Sequence, residues 1–145
     1  MNLALFQEYL NKGIVRKRTP DKLRAESLKE DALKRNNFLK QIINKIILNN
    51  DNANYFIEES YDILISLIRA KMLIDGYEAS GNYAHEAEVS YLRNLKFIDL
   101  DIVLMNELRT FRNGIKYYGK RYNKEHAEKI IQFLDKNYSK LLNLV

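Results

Sequence analysis

The stretch ANYFIEESYDILISLIRAKMLIDGY, residues 53–77, decides the fold. Ile57, Tyr61, Leu64, Ile68 and Met72 recur every three or four residues, and Ile63, Leu67 and Ile74 widen the stripe. That period is helical, and so broad an apolar face predicts a central helix with neighbours on two sides. Asn49-Asn50-Asp51-Asn52 stands before it, short polar side chains that favour caps and turns. Further upstream, Leu28, Ala32, Leu39, Ile42, Ile43, Ile46 and Ile47 predict a first long helix over residues 21–48. Two long antiparallel helices joined by a short loop form the expected centre of an all-α, single-domain bundle of about five helices.

The rest of the chain reads outward from that pair. Leu3, Phe6 and Leu10 predict a short N-terminal helix that stops at Gly13. The basic stretch through Arg18-Thr19-Pro20 reads as a linker, so residues 1–20 are a short helix and connector and residues 21–145 the bundle. After Ser80-Gly81-Asn82, a short helix is expected over residues 85–95. Another is expected over residues 100–118, with Leu100, Leu104, Leu108, Phe111, Ile115 and Tyr118 on its apolar side and Gly119 at its exit. A last helix starts near Asn123 and buries Ala127, Ile130, Ile131, Leu134, Tyr138 and Leu141.

Composition narrows the function classes. The 145 residues include one proline and five glycines, which argues for long helices over a β-sandwich. There is no cysteine, which excludes disulfides, thiol nucleophiles and cysteine-ligated zinc. The N-terminus lacks a basic segment followed by an apolar run, and charges such as Arg69, Lys71 and Asp75 interrupt the longest apolar stretches. Neither a signal peptide nor a membrane span is expected, which points to a soluble, cytoplasmic protein. Glu58, Glu59, Glu86 and Glu88 lack the Glu-x-x-His spacing of metal sites in helical bundles, and no phosphate-binding glycine loop occurs, so neither metal nor cofactor is expected.

The formal net charge of +5 hints at a polyanionic partner, and its distribution says more. Arg16-Lys17-Arg18 with Lys22 and Arg24 reads as a solvated face and connector. The second cluster is Arg109-Thr110-Phe111-Arg112-Asn113-Gly114-Ile115-Lys116-Tyr117-Tyr118-Gly119. At about 100° per residue, Arg109, Arg112, Asn113, Lys116 and Tyr117 share one face of its helix. Arginine offers a planar fork of donors that fits a phosphate, asparagine donates and accepts, and a tyrosine ring stacks on a base. Lys120, Arg121 and Tyr122 extend the patch, so Arg109, Arg112, Lys116, Lys120 and Arg121 are the candidate RNA- or phosphate-binding residues. A polar face occupied by lysine and arginine is also what any amphipathic helix shows.

Leu108 to Gly119 resembles the signature helix of the HEPN superfamily, whose motif is an arginine, commonly followed by asparagine or another polar residue, and then a histidine after four to six intervening positions. Arg112 and Asn113 match its first half. The segment from Glu59-Ser60-Tyr61-Asp62-Ile63-Leu64 to Lys71-Met72-Leu73-Ile74-Asp75-Gly76-Tyr77 is similar to the long second helix of such proteins, and His85-Glu86 follows where they start a third. The likeness covers residues 37–142. It implies an α-helical bundle, a homodimer with the motif helices face to face, and either metal-independent endoribonuclease activity or partnership with a minimal nucleotidyltransferase in a toxin–antitoxin-like pair. Arg112, Asn113 and Tyr117 would then be the degenerate catalytic set, with Arg112 holding the phosphate.

The departure from the motif decides the weighting. Its histidine positions hold Tyr117, Tyr118 and Gly119. Histidine titrates near 6.5 and suits proton transfer at neutral pH, whereas tyrosine titrates near 10 and is a poor general base. The expectation is therefore a module that binds RNA, a nucleotide or a nucleotidyltransferase through the Arg-Asn face without cleaving. The alternatives are an endoribonuclease with Tyr117 or His85 as proton carrier, and a structural dimerisation bundle. Only His85 and His126 are available to replace the motif histidine, and each reads as a surface or capping residue, with His85 kept as a substitute should folding bring it to Arg112.

Overall fold

The computed structural model describes residues 3–145. Helix α1 spans Phe6–Asn11, strand β1 Val15–Lys17, α2 Lys22–Lys45, α3 Ala53–Asp75, β2 Tyr77–Ala79, α4 Ala84–Asn94, α5 Asp99–Tyr118 and α6 Lys124–Leu142. The architecture is an all-α bundle with one small two-stranded ribbon. No helix among the described residues is long and apolar enough to cross a membrane.

Helix α3 is the axis. Phe56, Ile57, Tyr61, Ile63, Leu64, Leu67, Ile68 and Met72 are all buried along it, because α2, α4, α5 and α6 pack around it. Asp21 caps α2 by accepting from the Arg24 N–H at 3.0 Å, and Asn123 caps α6 by accepting from the His126 N–H at 3.0 Å. Gly76, at φ +88°, closes α3 in the left-handed conformation.

The basic N-terminal stretch takes a definite shape. Val15–Lys17 pairs antiparallel with Tyr77–Ala79, with Arg16 opposite Glu78. The Arg18 N–H donates to the Gly76 carbonyl at 2.9 Å, and the Asp21 N–H donates to the Leu73 carbonyl at 3.0 Å. Arg18 and Arg24 each hold one oxygen of the Glu78 carboxylate at 2.7 Å. Four of the cationic side chains that read as a solvated connector, Arg16, Lys17, Arg18 and Arg24, thus lie along one short ribbon and its flank. Arg18 and Arg24 are committed to a carboxylate on it. Leu3, Phe6, Tyr9 and Val15 bury into the same core as α3.

Two apolar stripes differ from their sequence reading. Helix α2 ends at Lys45, and Ile46 turns extended, so Ile46 and Ile47 face solvent, the latter 84% exposed. The reason lies in the following turn. Asn52 Nδ2 donates to the Ile47 carbonyl, while Asn49 Oδ1 accepts from the Asp51 and Asn52 N–H groups. On α5 the buried positions are Asp101, Ile102, Met105, Leu108 and Gly114, while Leu100 and Tyr118 are exposed. Asp101 goes inside because Lys136 of α6 donates to its Oδ1 at 3.0 Å, and because the first turn of a helix favours an anion.

Candidate phosphate-binding cleft

The C-terminal half of α5 runs beside the N-terminal end of α4, and the two enclose a cleft of about 260 Å³. Asn82, Tyr83, His85 and Glu86 form the α4 wall. Arg109, Arg112, Asn113 and Tyr117 form the α5 wall. Four of the five side chains that share a helical face in projection therefore meet at one concavity. Lys116 lies exposed on the outside of α5.

The exit of α5 is held by the start of α3. Asn54 Nδ2 donates to the Lys120 carbonyl at 2.9 Å, and Asn54 Oδ1 accepts from the Tyr122 N–H at 3.0 Å. Asn50 Oδ1 accepts from the Lys124 N–H at 2.9 Å. Lys120 and Arg121 are exposed on this clamped loop, outside the cleft. Lys120 lies back over Gly114, where an added Cβ would come within 3.0 Å of its Cδ. Tyr122 leaves the patch altogether. Its ring packs 4.5 Å from Phe111 and 5.3 Å from His126, as part of the apolar layer between α5 and α6.

Arg112 is the α5-wall residue nearest the core. Its guanidinium carbon is 5.5 Å from the centre of the buried Tyr61 ring. Its Nε is shielded from solvent and has no hydrogen-bond partner among the described residues. No carboxylate among the described residues pairs with it, whereas Arg18, Arg24, Arg35 and Arg69 each have one within 3.5 Å. Arg109 is tethered by a bond from its Nε to Asn106 Oδ1 at 3.0 Å and stands 3.8 Å from Glu86.

His85 is half-buried and does not cap its helix; Tyr83 occupies the cap position of α4. The His85 ring lies nearly parallel to Tyr61, at 12°, and its Nδ1 is 2.7 Å from the Tyr61 hydroxyl. Burial pushes the Tyr61 phenol up, so it keeps its proton. Burial, with the positive charges of Arg69 and Arg112, pulls His85 below the usual histidine range and keeps the imidazole neutral at pH 7. His126 is elsewhere, with its Nδ1 2.6 Å from Asn123 Oδ1 at the start of α6.

Of the carboxylates that read as scattered, Glu86 lines the cleft and Glu88 is structural. Glu88 is buried and takes a two-pronged bond from Arg69, Nε to Oε2 at 2.6 Å and Nη2 to Oε1 at 3.0 Å. These bonds hold Arg69 above its usual range. Among the described residues no group of three histidine or acidic side chains is placed to hold a metal ion.

Sequence reading took Tyr61 for core and left Asn82 and Tyr83 between two helices, without a role. The one signal for Tyr83 was an aromatic residue inside the polar turn Gly81-Asn82-Tyr83. Neither protein-family models, nor curated proteins, nor solved structures match this chain.

Proposed function

We propose that the chain is a HEPN-like helical module that holds RNA by its phosphates at the α4–α5 cleft without cutting it. Arg112 carries this reading. A half-buried guanidinium with no carboxylate partner among the described residues is electrostatically incomplete, and a phosphate supplies both the charge and the acceptors for its fork of donors. Arg109 and Asn113 line the same wall, and the exposed Lys116, Lys120 and Arg121 add positive potential near the C-terminal end of α5. The test is RNA binding by the purified protein. Arg112→Ala should weaken it about ten-fold or more, and the affinity should fall as salt rises. Failure of wild type to bind RNA at low salt would refute the reading.

A metal-independent endoribonuclease is the second reading, and His85 is the observation that favours it. A neutral imidazole lines the cleft that contains Arg112, although it comes from a different helix than the motif histidine. Structured RNA incubated in EDTA distinguishes the two. Cleavage that survives EDTA and disappears in both Arg112→Ala and His85→Ala supports an enzyme; RNA intact over hours rejects it.

The HEPN resemblance supports two partner proposals. The first is a homodimer that brings two α5 helices to a shared seam, to be rejected by a monomer in light scattering at micromolar concentration. The second is a minimal nucleotidyltransferase, to be sought by pull-down from native lysate; charge reversal at Arg109, Arg112 and Lys116 should abolish its capture.

A further inference from the structure

The cleft is more than a cationic surface, because each wall carries a largely free aromatic ring. Tyr83 belongs to the α4 wall and is 60% exposed, and Tyr117 belongs to the α5 wall and is 69% exposed. Neither ring has an aromatic partner among the described residues, whereas Tyr61, Tyr77, Tyr91 and Tyr122 all do. Arg112, its Nε shielded from solvent, lines the α5 wall, and two amides, Asn82 and Asn113, line opposite walls.

That set matches the parts of a nucleotide one by one. Two exposed phenol rings on facing walls offer π-faces to a flat heterocycle, the amides offer donors and acceptors to its edge, and the unpaired guanidinium takes the phosphate. A base inside a duplex has both faces covered by its neighbours and cannot enter. We infer that the cleft takes an unpaired nucleobase between Tyr83 and Tyr117, with the attached phosphate on Arg112. The ligand class is a nucleoside phosphate with a free base, presented by a single-stranded RNA or as a free nucleotide. This inference rests on the phosphate-binding reading and adds the base to it.

Competition binding against a labelled single-stranded oligouridylate tests it. The competitors are the unlabelled strand, an abasic strand of the same length, inorganic polyphosphate, blunt RNA duplex and a nucleoside monophosphate. The base-bearing strand should compete better than the abasic strand, polyphosphate or duplex. Tyr83→Ala and Tyr117→Ala should each weaken the base-bearing strand roughly five- to a hundred-fold while leaving polyphosphate binding as it was. Tyr83→Phe and Tyr117→Phe should retain it, since the ring stays. Competition by the monophosphate at concentrations near those of the strand assigns the site to a free nucleotide; competition by the strand alone assigns it to RNA. Equal binding of abasic and base-bearing strands, or tyrosine-to-alanine variants that bind like wild type, overturns the inference and leaves the phosphate site standing. No binding of any strand or polyphosphate overturns both. Both rings are solvent-exposed, so the alanine variants should fold, as an unchanged thermal midpoint would show.

Discussion

The Arg112 guanidinium carbon sits 5.5 Å from the centre of the Tyr61 ring. The same tyrosine holds His85 through a 2.7 Å contact between its hydroxyl and Nδ1. One buried ring on the central helix thus orients two side chains of the cleft, by its face for the cation and by its edge for the imidazole.

Tyr61→Phe separates the two roles. The face remains for Arg112, while His85 Nδ1 loses its partner in a half-buried setting. Stability should fall by about 1 kcal/mol, measured by urea denaturation, while RNA affinity stays near that of wild type. Tyr61→Leu removes the face as well and should lower both.

His85 makes stability depend on pH in a defined direction. Burial first, and then the charges of Arg69 and Arg112, set its folded value below that of the unfolded chain. The unfolded chain therefore binds a proton near pH 6.5 that the folded chain refuses until lower pH. Stability should be insensitive to this group above about pH 6.5 and should decline as pH falls below it. Urea midpoints between neutral and mildly acidic pH, wild type against His85→Gln, isolate the effect; the variant should show the shallower decline.

Glu88→Gln should be costly. The substitution keeps shape but removes the charge opposite Arg69, whose cation stays partly buried beside His85. Loss of about 3 kcal/mol is expected, toward the lower end for a broken buried pair because Arg69 retains some access to water. Chemical denaturation measures it.

Gly76 and Gly119 share a left-handed backbone but not their surroundings. An added Cβ at Gly76 would meet the Arg18 carbonyl oxygen at 2.9 Å, while nothing lies within 4 Å at Gly119. Gly119→Ala should cost about 1 kcal/mol, the conformational strain alone. Gly76→Ala should cost more than that, because the β1 connection must also shift away from α3. Paired thermal melts decide the order.

The helical frame was legible because α3, α4 and α6 keep their periodicity where they are packed. The α5 stripe was misjudged at Leu100 and Tyr118, which hydrophobicity places inside, and it missed Asp101, whose buried carboxylate only the distant Lys136 makes tolerable. The β1–β2 ribbon escaped notice because three-residue strands carry no periodic signal and their pairing joins positions far apart in sequence. At the cleft, Arg109, Arg112, Asn113 and Tyr117 were legible from spacing on one helix. Their juxtaposition with Tyr61, Tyr83 and His85 was not, because it depends on how α4 lies across α3 and α5.

The clamp of Asn50 and Asn54 on the α5–α6 loop bears on kinetics. It fastens the exit of α5 to the start of the central helix and the turn before it, so one wall of the cleft is tied to the frame. A ligand that enters such a site meets a shape already set, and little of its binding energy goes into ordering the protein. Association should then run at a rate set by diffusion and charge, and differences in affinity among cleft variants should appear in how fast the ligand leaves.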